Sequence, residues 1–186
     1  ITQSGTYWVT VTVNGCVGTD TITVTFLPLP VVNLGNDQTL CSGESALLDV
    51  TTTGAAYLWS DGTTGATISV TQSGTYWVEV TVNGCTGKDT VAVTFLPLPV
   101  VNLGNDQTLC DGETVLLDAT IAGSTYQWND GTTGATNIIA QSGTFWVEVT
   151  LNGCKGSDTV MVTFNPLPVV SLGNDTVICI GQSVIL

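Results

Sequence analysis

Apolar and polar residues alternate along most of this chain. Tyr76, Val78, Val80 and Val82 point one way; Thr75, Trp77, Glu79 and Thr81 point the other. A period of two is the mark of a half-buried strand, and no stretch carries the 3.6-residue period of a helix with its caps. Between Gln38 and Phe95 the pattern predicts an opening segment at Gln38–Leu40, a turn at Cys41–Glu44, and strands at Ser45–Val50 and Ala56–Ser60. After a turn at Asp61-Gly62 come strands at Thr67–Val70 and Thr75–Val82. The pair Asn83-Gly84 signals a tight hairpin, and a last strand runs to Phe95. Glu79 and two threonines share one face of Thr75–Val82, so the opposite face is core. Ala46, Leu48, Val50, Val91, Val93 and Phe95 join that core, while Lys88, Thr90 and Thr94 face out.

The pattern then repeats. Leu-Gly-Asn-Asp begins at Leu34, Leu103 and Leu172, and the segments 34–102 and 103–171 agree at 48 of 69 positions. A fixed period of this size means an array of small modules. The expected organisation is the C-terminal part of a repeat at 1–33, complete repeats at 34–102 and 103–171, and the N-terminal part of a repeat at 172–186. Both ends cut through a repeat, so the expectation is a piece of a longer chain. About seven short strands in each ~70-residue unit indicate a small β-sandwich. The words Phe26–Pro30, Phe95–Pro99 and Phe164–Pro168 each carry two prolines in three residues. They read as a semi-rigid extended spacer or as a first edge strand that tolerates proline.

Charge narrows the function classes. Fifteen acidic residues face two lysines, with no arginine or histidine. That excludes a phosphate-neutralising surface for nucleic acid and argues against anionic membrane surfaces. No apolar run approaches the ~18 residues of a membrane helix. Catalysis finds no support, because no nucleophile–base pair is in view. The expectation is not an enzyme. Six cysteines at two repeated positions suggest disulfides and an oxidising compartment. Zinc is not expected, with no histidine and no Cys-x-x-Cys pair.

Trp59 on the third strand, and Gly74-Thr75-Tyr76 opening the sixth, resemble the immunoglobulin fold, with Trp128 and Phe145 as their equivalents. Leu48 and Val78 stand where that fold places its inter-sheet cysteines. The words Leu34–Thr39, Tyr57-Leu58-Trp59 and Ser73–Tyr76, with Cys41-x-Gly43 and Gly84-Cys85, also resemble PKD-type domains. Together they resemble the Ig-like repeats of giant Bacteroidota surface proteins, gliding-motility adhesins exported by type IX secretion among them. The resemblance implies an all-β chain of tandem Ig-like (PKD-like) sandwiches in a linear head-to-tail array, extracellular and at a bacterial cell surface.

Three cysteine pairings are open: Cys41–Cys85 within a repeat, Cys16–Cys41 across a linker, and Cys41–Cys154 between repeats. In an Ig-like sandwich the first turn and the last hairpin lie at opposite ends, which favours Cys41–Cys154. Cys16, Cys85, Cys110 and Cys179 are then expected to pair with neighbouring repeats.

Other candidate sites carry less. Trp8, Trp77 and Trp146 are candidate exposed contacts for a sugar or another fibre, or else pack on cross-strand neighbours. Asp37, Asp61, Asp89 and Asp106 are weak calcium candidates, although Asp61-Gly62 also reads as a plain turn; no other cofactor is expected. Asp-Thr-apolar words at Thr21, Thr90, Thr159 and Thr176 resemble a Bacteroidota O-glycosylation sequence. A repeated Lys–Asn isopeptide is excluded, because Lys88 and Lys155 fall at non-equivalent positions. The expected function is a structural repeat of a long fibre or adhesin stalk, partnered by neighbouring repeats and by other copies of the fibre. The alternatives are a multivalent array for surface glycans and accessory domains of a secreted enzyme.

Overall fold

The computed structural model describes residues 1–175 and 177–185. The described chain is all β, in two compact units, Ile1–Leu96 and Pro97–Leu186. The first unit opens with a hairpin of β1 (Gly5–Val13) and β2 (Cys16–Val24). It continues with β3 (Gln38–Cys41), β4 (Ala46–Asp49), β5 (Ala56–Trp59), β6 (Thr67–Val70), β7 (Gly74–Val82) and β8 (Cys85–Leu96). The second unit carries the same six strands 69 positions on: β9 (Gln107–Cys110), β10 (Val115–Asp118), β11 (Thr125–Trp128), β12 (Thr136–Ile139), β13 (Gly143–Leu151) and β14 (Cys154–Asn165).

Each set of six forms two sheets. One is the antiparallel pair β4–β6, the other the four strands β3-β8-β7-β5, with β3 parallel to β8 and the rest antiparallel. The second unit repeats this as β10–β12 and β9-β14-β13-β11. This is an Ig-like sandwich, as the alternation and the aromatic positions led one to expect.

The predicted faces hold. Ala46, Leu48, Trp59, Ile68, Val78, Val80, Val91 and Val93 are buried between the sheets, with Tyr76 and Phe95 packed against them. Leu48 and Val78 fill the place of an inter-sheet disulfide with aliphatic packing. The indole N–H of Trp59 donates to the Gly65 carbonyl at 2.7 Å, and that of Trp128 to Gly134 at 2.9 Å, so neither buried ring leaves a donor unpaired. The Tyr76 hydroxyl donates to the Gln72 carbonyl at 2.8 Å. Phe145, its equivalent, keeps the packing and lacks that bond.

The strand count is six per repeat rather than about seven. The turn expected at Asp61-Gly62 forms, and the chain turns back at once after Trp59. Gly62 N–H donates to the Trp59 carbonyl at 2.9 Å and Trp59 N–H to the Thr63 carbonyl at 2.9 Å. The Asn83-Gly84 hairpin forms as predicted, with φ of 50° and 81° at its two central residues.

The proline segment behaves as neither alternative foresaw. It adds no regular strand, yet it is not a free spacer. Pro30 sets its carbonyl against Gly87 so closely that a Cβ on that glycine would lie 2.2 Å from the oxygen; Pro99 and Gly156 repeat this at 2.1 Å. Further along, the Leu34 N–H donates to Asp89 Oδ2 and the Leu103 N–H to Asp158 Oδ2, each at 2.7 Å. Asp37 Oδ1 accepts from Ala92 N–H at 2.9 Å and Asp106 Oδ1 from Met161 N–H at 2.8 Å. Proline cannot donate to a ladder, so carboxylates hold the opening segment along the last strand until β3 and β9 take over.

Gly156→Ala is therefore expected to destabilise the protein by about 1–3 kcal/mol, the usual cost of forcing atoms into a filled space. Urea unfolding measures it. A neutral result would mean that the Pro99 segment does not dock on β14.

Candidate functional site

Two features of each repeat have functional potential: the outer face of the four-stranded sheet, and the cysteines at its ends.

On that face in the two complete repeats, and in the two-stranded hairpin β1–β2, each tryptophan stands directly across from a candidate glycosylation threonine. The register pairs Trp8 with Thr21, Trp77 with Thr90 and Trp146 with Thr159. All three threonines are exposed; Thr176 lies outside the described residues. The tryptophans differ in exposure. Trp8 is 75% and Trp146 42% exposed, whereas Trp77 is half-buried. Its cover is Lys88, whose Nζ sits 5.6 Å from the Trp77 ring centroid, a cation–π distance. Lys88 also pairs with Glu79. In the next repeat Lys155 reaches the equivalent Glu148 at 2.7 Å from a different strand position. Thus two non-equivalent lysines neutralise the same repeated glutamate, which accounts for their placement without any covalent crosslink. The lysines are solvent-exposed and the glutamates half-exposed, so both pairs contribute little to stability.

The aspartates are engaged in local structure. Asp61 Oδ1 accepts the Thr63 N–H at 2.9 Å, and Asp49 Oδ1 accepts the Thr51 N–H at 2.8 Å and hydroxyl at 2.7 Å. Asp37, Asp89 and Asp106 hold the opening segment as described above. Among the described residues no three acidic or cysteine side chains converge as a metal would need. The carboxyls of Asp49 and Asp118 are held below the ordinary value of 3.8, first by the Thr51 and Thr120 hydroxyls and then by the same residues' N–H groups. Asp61 is lowered by the Thr63 N–H. Asp130 is lowered mainly by the Asn137 side chain, which donates to its Oδ2 at 2.8 Å. Asn137 is a buried polar residue where the preceding repeat has Ile68, a pairing that the alternation did not reveal.

The cysteines occupy strand ends rather than the turns themselves. Cys41 closes β3 opposite Leu96, while Cys85 opens β8. Eleven strand residues separate those two levels, roughly 36 Å at 3.3 Å each. A disulfide needs Cα atoms within about 7 Å. Accordingly Cys41 and Cys154 are disulfide-bonded, and Cys16, Cys85, Cys110 and Cys179 are free thiols. Neither Cys41–Cys85 nor Cys16–Cys41 forms. Glu44 shapes the end that carries Cys41, its Oε2 accepting the Cys41 N–H at 2.6 Å; Glu113 does the same for Cys110 at 2.7 Å.

Neither a protein-family model nor a curated protein matches the chain. Solved structures similar to it are tandem Ig domains. Extracellular domains 3–5 of Drosophila OTK are 13% identical, with 87% of this chain and 71% of that one covered and a TM-score of 0.45. Sidekick-1 immunoglobulin domains 1–4 are 12% identical over 88% and 68%, with a TM-score of 0.44. The titin I-band fragment I67–I69 is 12% identical over 76% and 67%, with a TM-score of 0.42.

The four lowered carboxyls set a direction for pH. Groups whose folded pKa is depressed stabilise fully above their unfolded value and lose that contribution as pH falls through the folded one. Stability is expected to be flat near neutrality and to fall below pH 3.8, as read by thermal unfolding between pH 7 and 2. A midpoint that rises on acidification contradicts the assignment. Independently, Asp130→Ala leaves the Asn137 amide unpaired and is expected to cost about 1–3 kcal/mol. Asn137→Ile, which copies the preceding repeat, is expected to be neutral or stabilising.

Proposed function

We propose that this chain is a structural repeat of a long extracellular fibre or adhesin stalk at a bacterial cell surface. The observation that carries this reading is the parallel pairing of β3 with β8 and of β9 with β14. Parallel first and last strands put the entry and exit of each repeat at opposite ends. In a chain whose repeats are joined by peptide alone, tension then loads the ladder in shear, all bonds together, rather than peeling them one by one. Docked prolines add stiffness, since the opening segment has no slack between Pro30 and β3.

In the same reading, Cys41 and Cys154 are bonded to each other and join successive repeats. The free thiols Cys16, Cys85, Cys110 and Cys179 take the equivalent bonds with repeats further along the array. The acidic surface keeps such an array soluble. Glycans on Thr21, Thr90 and Thr159 would stand beside Trp8, Trp77 and Trp146 and shield that face. Export by type IX secretion and a role in gliding motility belong to the same proposal, on the strength of the sequence resemblance.

A second reading is a multivalent glycan-binding array, favoured by the exposure of Trp146 and multiplied by avidity.

Disulfide mapping by mass spectrometry of unreduced native protein is the deciding experiment, and a Cys41–Cys154 peptide is the expected product. Its absence removes the inter-repeat staple. Intact mass of the same material is expected to exceed the sequence mass by whole sugars, and an unmodified mass eliminates the glycoprotein part. Sugar affinity that is measurable and lost in Trp146→Ala would favour the binding array instead.

A further inference from the structure

Tension in the oxidised array, we propose, bypasses the folded cores and runs through two interleaved covalent lines; this rests on the fibre reading and on the Cys41–Cys154 bond. The cysteines divide the chain into matching stretches of 26 residues, Cys16 to Cys41, Cys85 to Cys110 and Cys154 to Cys179. Each stretch is the last strand of one repeat followed by the opening segment of the next. The first unit shows this directly, with β2, the proline segment and β3 in succession.

A bond from Cys41 to Cys154 joins the first stretch to the third and skips the second. Where the period continues, the stretch from Cys85 to Cys110 belongs to a second line, joined in the same way to the stretches before and after its neighbours. Every junction is then crossed twice, once by peptide and once by disulfide. Within a repeat the two lines lie side by side, because β3 and β8 are parallel neighbours and Asp89 and Asp37 tie the proline segment to β8.

The consequence concerns which residues feel force. Load entering at Ile1 passes along Cys16–Cys41, crosses the disulfide and leaves from Cys154. Residues 42–153 hang from that path as a closed loop, and they include Trp59, Trp128 and most of both cores. The sandwiches therefore brace the load-bearing strands without transmitting the load. In such an array unfolding a core adds no length, so the fibre is nearly inextensible.

The test is force extension of the whole 186-residue chain held at its ends, oxidised and reduced, on material whose disulfides have been mapped. Reduced chain is expected to lengthen in steps to roughly 650 Å, and oxidised chain to stop near roughly 260 Å, at about 3.5 Å per extended residue. In an Ala46→Cys variant, the new buried thiol is expected to resist a thiol reagent in oxidised chain at forces that expose it in reduced chain. If Cys41–Cys154 is absent from the map, the staple itself fails. If the bond is mapped but the introduced thiol is labelled at the same force in both states, load reaches the core. The bypass is then wrong while the fibre reading stands. If that variant fails to fold, the two extensions of the native chain decide, and equal extensions overturn the bypass.

Discussion

The seating of the opening segment on the last strand is the interaction on which the rest depends. A backbone carbonyl, that of Pro30 or Pro99, lies against a glycine that no other residue could replace without movement. One carboxylate, Asp89 or Asp158, then takes the N–H that a missing ladder leaves over. These contacts align the opening segment with β8 or β14 ahead of β3 or β9 along the chain. They make its pairing parallel, and parallel pairing separates the two ends of the repeat.

From that separation the cysteine chemistry follows. Cys41 and Cys85 share a repeat and even a sheet, yet they stand at opposite ends of it. A within-repeat bridge is ruled out by distance, although its loop would be short enough to close entropically. The bonded cysteines, Cys41 and Cys154, instead occupy the two end positions of successive repeats. The core replaces the usual inter-sheet disulfide with Leu48 and Val78, which leaves the cysteines to serve elsewhere.

The surface is organised by a different rule. Outward positions carry threonine, tryptophan, and one glutamate that each repeat neutralises with a differently placed lysine. Cross-strand geometry permits this, since a long lysine reaches either the directly opposite residue or its diagonal neighbour. The partner that the two repeats share is thus the glutamate and not the lysine. The same register brings each outward tryptophan against a threonine. The aspartates, by contrast, are spent on turns and on the docked segment.

The repeat, the strands and their faces are legible in the order of residues alone. Alternation survives folding because a strand buries every second side chain, and Asn83-Gly84 fixes a turn through local backbone preference alone. Trp59 and Leu48 could be placed in the core on the same ground. Whatever depends on distant segments meeting is visible only in the folded chain. The proline segment docks because Gly87 and Asp89 come back to it from far along the chain. Asp89 lies 55 positions beyond the Leu34 it holds, a spacing that no local pattern displays. The half-burial of Trp77 rests on a lysine across the hairpin, and the Asn137–Asp130 bond on a fold that brings strand and turn together. Strand alternation is a local property of the backbone, whereas docking, pairing and cysteine distance are set by chain topology.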